Sequence, residues 1–265
     1  MKKLILAIIL AVIGYQFLFN KEIKAPDLPQ QISLEQHAIS QGDLILVNRE
    51  VKLQQDPINL AQIPIDIASN VIVDSKFLLE NQAMKPLKQL FEAAQQDGMQ
   101  HFIINSAYRS GKLQQQLFEE NGEAFALPSG YSEHQTGLAI DIGSTEGKME
   151  NVAEGKWLEE NAHQFGFILR YPKNKVDVTG ISYEPWHFRY VGLPHSVTMQ
   201  EKELALEEYI DFLKKEQSYT TKVKGTTYFV QYTDRRKKVN IPNTANFKVS
   251  GDNENGYIIT SIIEE

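Results

Sequence analysis

Apolar residues open the chain as one block. Residues 4–19 are largely hydrophobic, led in by Met1-Lys2-Lys3 and closed by Asn20-Lys21. After that block the pattern breaks into shorter units. Leu44-Ile45-Leu46-Val47 has the apolar, β-branched character of a strand, and Phe102-Ile103-Ile104 that of a buried strand. Over residues 76–97, Phe77, Leu78, Met84, Leu87, Leu90 and Phe91 recur with partly helical spacing, and Gly98 supplies a stop. Residues 157–165 read as a helix ended by Gly166, and residues 199–215 as an amphipathic helix built on Leu204, Tyr209, Ile210 and Leu213. Strand-like stretches at 226–232, 247–249 and 257–263 close the chain, the last two separated by turn-forming residues 251–256.

These elements predict an α+β fold, with helices packed on a small antiparallel sheet. Four units follow: an apolar helix over 1–21, a Pro- and Gln-containing spacer over 22–42, a main domain over 43–217, and a small β-rich appendage over 218–265. A 16-residue apolar helix is roughly 24 Å long, short of the ~30 Å hydrocarbon core but able to span it with snorkelling flanks. A secretory signal has the same charge-then-apolar layout, but no small-x-small cleavage site follows here. The reading is therefore an uncleaved anchor with its lysines cytoplasmic and the remainder outside, secretion after cleavage being the alternative.

Composition narrows the classes further. The absence of cysteine excludes a disulfide framework, a thiol nucleophile and a lipid-modified cysteine. A formal charge of -7 argues against nucleic acid as a general partner.

Candidate chemistry is concentrated in two segments, Ser132-Glu133-His134-Gln135-Thr136-Gly137-Leu138-Ala139-Ile140-Asp141 and Glu184-Pro185-Trp186-His187. A catalytic zinc ion takes three protein ligands and keeps one position for water, whose pKa it lowers to about 7. His134, Asp141 and His187 supply three such ligands, and Glu184 a carboxylate to move protons. Residues three apart on a regular strand face opposite ways, so Glu184 and His187 require a bend, which Pro185 favours. Taken alone, His37, His101, His163 and His195 read as structural. The donor set also suits other divalent ions.

The S-x-H-x-x-G-x-A-x-D and E-x-W-H patterns resemble the VanY-type D-alanyl-D-alanine carboxypeptidases, zinc peptidases sharing a fold with lysostaphin-like enzymes and the hedgehog amino-terminal domain. The resemblance extends to the lead-in at 44–49, to Ser106-Ala107-Tyr108-Arg109-Ser110 with Gln114, and to Phe165-Gly166-Phe167, Arg170-Tyr171-Pro172 and residues 186–192. It covers roughly residues 43–213. It implies one zinc ion on His134, Asp141 and His187, Glu184 as acid/base, and Arg109 beside the developing oxyanion. It further implies Ser132 and Gln114 as contacts to the terminal residue of a peptidoglycan stem peptide. Ala107 departs from the glycine frequent there in relatives and touches backbone freedom rather than chemistry.

The implied activity is removal of the terminal D-alanine from stem peptides. Alternatives are L,D-carboxypeptidase or cross-link endopeptidase activity, and, from another class, a wall-binding module without turnover. Residues 172–180 form either a cleft wall or an exposed hairpin. Arg235-Arg236-Lys237-Lys238 reads as a solvated turn or a contact to anionic wall polymers.

Overall fold

The computed structural model describes residues 25–122, 126–234 and 236–264. Strands β1 (Gln30–Ser33), β2 (Leu60–Gln62), β3 (Val71–Ile72) and β4 (Leu78–Glu80) lead into helix α1 (Asn81–Gln96). Strand β5 (Phe102–Ser106), helix α2 (Gly111–Asn121), strand β6 (Ala139–Ser144), helix α3 (Ala153–Asn161), strand β7 (Phe167–Leu169), helix α4 (Val176–Thr179) and strand β8 (His187–Tyr190) follow. Helices α5 (His195–Glu201) and α6 (Leu206–Glu216) precede β9 (Ser218–Val223), β10 (Thr226–Asp234), β11 (Lys238–Ile241), β12 (Phe247–Gly251) and β13 (Gly256–Glu264).

The architecture is mixed α+β with several small sheets. Its central sheet has the order β3-β5-β6-β8-β7. The sheet is not wholly antiparallel, because β3 pairs parallel to β5 while the other neighbours run antiparallel. Helix α1 lays Ala83, Leu87, Leu90, Phe91 and Ala94 against it, all fully buried, with the Phe91 ring 5.3 Å from Phe102 of β5. Each such leucine or phenylalanine contributes about 1.5–3 kcal/mol relative to exposure. The helix starts at Asn81 rather than 76 because Leu78–Glu80 pairs with Leu60–Gln62 instead.

Two further expectations change. Leu44–Val47 is buried but is not a strand, since side chains from elsewhere take its backbone groups. Leu44 N–H donates to Ser250 Oγ, Arg189 donates to the carbonyls of Asp43 and Ile45, and Asn253 donates to the Leu46 carbonyl. The helix expected over 199–215 is two helices, broken where Glu203 adopts φ +53° and the Ala205 N–H is received by Glu208 of α6.

Strands β12-β13-β10-β9 form a second, antiparallel sheet. It shares a core with α5 and α6 through Val230, Ile258, Met199, Leu206, Tyr209 and Ile210. Part of the segment read as spacer joins this unit: β1 pairs with β11, and Leu34 is buried. Gly251 permits that docking, because a Cβ there would lie 1.8 Å from the Ile39 carbonyl oxygen. The anchor expected over 1–21 lies outside the described residues, among which no helix is long and apolar enough to cross a membrane.

Candidate active site

Three neighbouring segments deliver the metal-ligand candidates. Strand register places Asp141 of β6 directly opposite His187 of β8. His134 comes from a 3₁₀ turn over Glu133–Thr136, which Gly137 ends in the left-handed conformation at φ +69°, so the chain reverses into β6. Glycine reaches that region without the Cβ clash. His187 N–H donates to the Glu184 carbonyl, closing the turn at Pro185 that returns Glu184 to the same side.

The donor atoms converge. His134 Nε2 is 3.3 Å from Asp141 Oδ2, and His187 Nδ1 is 3.1 Å from Asp141 Oδ1. One donor atom from each of the three residues lies within 4.8 Å of the others, a grouping able to hold one metal ion. All three residues are buried. His134 Nδ1 lies 2.7 Å from the Ala107 carbonyl, which leaves Nε2 for the metal. Position 107 thus acts through its backbone, which alanine supplies as well as glycine.

The electrostatics also favour a cation. Burial pushes the Asp141 carboxyl up, but His134 and His187 outweigh it and hold it well below the usual range. Burial disfavours charge on His187, yet its contacts to Asp141 and Glu133 raise it to about 9. Burial lowers His134 despite Asp141. Asp141 thus stays ionised between the two imidazoles, an anionic donor available to a cation.

Glu184 Oε2 lies 3.8 Å from His187 Nδ1, its side chain partly exposed to the cleft. Burial raises its pKa against the opposing influence of His187. Arg109 donates to Ser106 Oγ at 3.0 Å, Asp141 Oδ2 at 3.2 Å and Gln114 Oε1 at 3.4 Å. Gln114 is buried, not exposed on its helix, and its Nε2 donates to the Leu127 carbonyl at 2.7 Å.

A cavity of about 260 Å³ contains all seven sequence-predicted residues: His134, Asp141, His187, Glu184, Arg109, Ser132 and Gln114. Glu133, Arg49, Tyr171, Trp186 and residues 126–127 and 180–182 complete its wall, so the end of the 172–180 segment and the two residues after it border the cleft. A larger cavity of about 730 Å³, between α1 and the second sheet, holds none of these groups.

Sequence reasoning assigned no role to Glu133, Arg170, Arg189, Tyr171 or Trp186. Glu133 Oε1 accepts from Arg170 and Arg189, each at 2.8 Å, and all three side chains are fully buried. Burial alone would raise Glu133, but the two guanidiniums and His187 hold it well below the usual carboxylate range. The available signal was an arginine inside each apolar run, Phe167-Ile168-Leu169-Arg170 and Phe188-Arg189-Tyr190. A buried charge requires a partner.

Comparison with known proteins agrees with the geometry. The VanY family model, described as D-alanyl-D-alanine carboxypeptidase, matches residues 76–193. A D-alanyl-D-alanine carboxypeptidase of Enterococcus faecium is 41% identical over 238 residues, 87% of this chain and 78% of the relative. The crystal structure of the vancomycin-resistance D,D-dipeptidase VanXYg, in complex with a D-Ala-D-Ala phosphinate analogue, superposes with a TM-score of 0.77 at 30% identity. That match covers 88% of this chain and 99% of that one. The crystal structure of a point mutant of the vancomycin-resistance D,D-pentapeptidase VanY, in complex with Zn(II), superposes with a TM-score of 0.54 at 34% identity, covering 63% and 98%. At that identity and coverage, this chain belongs to the VanY family of D-alanyl-D-alanine carboxypeptidases.

Proposed function

We propose that the protein is a zinc-dependent carboxypeptidase that removes the terminal D-alanine from peptidoglycan stem peptides, in wall remodelling or glycopeptide resistance. One observation carries this reading: His134, Asp141 and His187 converge in the cavity that also holds Glu184 and Arg109. Bound by the two imidazoles and the carboxylate, zinc supplies a Lewis acid that polarises the scissile carbonyl and acidifies water.

The remaining steps fall to side chains. Glu184 takes a proton from the attacking water and returns it to the leaving amine. Its raised pKa suits both halves of that transfer. Arg109, held by Ser106, Asp141 and Gln114, faces the oxyanion with a fixed cation. Ser132 contacts the terminal residue, and Gln114 serves the substrate by fixing the arginine. The lysine-led apolar run at the amino terminus supports a membrane-anchored location outside the cell, where the wall polymer lies.

The test is mass spectrometry of stem tetrapeptide and pentapeptide incubated with purified protein, with chelator, and with zinc restored. Loss of one alanine from the pentapeptide alone, abolished by chelation and by Glu184→Gln and recovered with zinc in the parent, is expected. Cleavage of the tetrapeptide moves the assignment to L,D specificity. Inertness of a zinc-loaded protein towards both overturns the reading.

A further inference from the structure

Glu133 stands next to a ligand in sequence and beside another in space. Its Oε1 is fully used by Arg170 Nε and Arg189 Nη1, each at 2.8 Å. Its Oε2 faces elsewhere, 3.4 Å from His187 Nε2, at the long end of hydrogen bonding. Balancing two arginines does not require that second oxygen to point at an imidazole.

The ring geometry gives the contact a purpose. His187 Nδ1 faces Asp141 and Glu184, so Nδ1 is the atom turned towards the metal position. A neutral imidazole that ligates through Nδ1 carries its proton on Nε2, and an acceptor there fixes both tautomer and ring orientation. Glu133 Oε2 is placed to be that acceptor. His134 is arranged the other way round, with Nδ1 on the Ala107 carbonyl and Nε2 towards Asp141. The Tyr171 ring, with its centroid 4.8 Å from that of His187, packs against the imidazole and limits its rotation.

Glu133 is itself fixed from a distance. Arg170 grips Glu207 of α6 through both terminal nitrogens, at 2.9 and 2.6 Å, while its Nε holds Glu133. Arg189 spends its other nitrogens on the carbonyls of Tyr190, Asp43 and Ile45. The chain Glu207–Arg170–Glu133–His187 therefore runs from the carboxy-terminal helix to the ligand set.

We propose that Glu133 is a positioning residue for the metal site, holding His187 through Nε2 while Arg170 and Arg189 lock its own carboxylate. The proposal rests on the zinc reading above, and zinc affinity rather than turnover tests it. Zinc Kd is measured on the full chain by competition with a chromophoric chelator, alongside the visible spectrum of the cobalt-loaded protein. Glu133→Gln and Glu133→Asp are compared with the parent.

Asp retains the charge facing both arginines but draws the carboxylate back from His187 by one methylene, so it decides the matter if Gln fails to fold. Zinc Kd is expected to rise by about 10–100-fold in each folded variant, with an altered cobalt spectrum. In a His187→Ala background the same substitutions are expected to change zinc Kd by less than about twofold, because the group they act through is gone. Folded variants with parental Kd and cobalt spectrum would reduce Glu133 to a counter-ion and overturn the proposal. A parent protein that binds no zinc would instead overturn the metal reading on which it rests.

Discussion

Lowering the pH should weaken the junction between the helices and the second sheet through one residue, His195 of α5. Its ring is buried, with Nδ1 2.6 Å from Tyr209 Oη and Nε2 2.9 Å from Thr260 Oγ1 of β13. Burial, aided by the nearby Lys248 cation, lowers its pKa from 6.5 to about 3. As pH falls, the unfolded chain takes up this proton before the folded one. The contribution is therefore complete above about 6.5 and is lost progressively towards the folded pKa. At 1.36 kcal/mol per unit, moving from pH 7 to pH 5 removes about 2 kcal/mol. That figure barely depends on the folded value, because pH 5 lies well above it. Guanidinium titrations of the parent and of His195→Gln at both pH values isolate the effect, since the other titrating groups are common to both. The parent should lose about 2 kcal/mol more than the variant between the two pH values. Equal losses would refute the reasoning.

Three other outcomes are expected. Arg109→Lys loses the fork that spans Ser106, Gln114 and Asp141, so kcat should fall by about 10²–10³ with zinc affinity little changed, as steady-state kinetics and metal titration would show. Glu207→Ala leaves Arg170 buried with half its carboxylate partners, and equilibrium denaturation should register a loss of about 3–5 kcal/mol. Gly251→Ala drives a Cβ into the Ile39 backbone, where only main-chain movement gives relief. A loss of about 1–3 kcal/mol in the same assay is expected, with hydrogen exchange quickening at the Gly251 and Asn253 amides that donate to residues 41 and 39.

The convergence of the candidate ligands was legible because metal-binding chemistry demands particular residue types close together along the chain. Within His134 to Asp141, a turn and a glycine suffice to bring two ligands round, and Pro185 sets the bend that joins Glu184 to His187. The buried face of α1 and most of the second sheet's strands were likewise readable, since periodicity is a local property. What the sequence could not show depends on partners far along the chain. Leu44–Val47 has strand composition, yet it is held by Arg189, Ser250 and Asn253, so tertiary hydrogen bonds replaced the ladder. The segment before it reads as a polar spacer until β11 offers an edge and Gly251 allows close approach. Arg170 and Arg189 stand out in the sequence only as charges at apolar runs, and their partners Glu133 and Glu207 lie 37 to 56 positions away where they bond. Burial in low dielectric makes them one unit, and burial is decided only when the sheet, the 3₁₀ turn and α6 pack together.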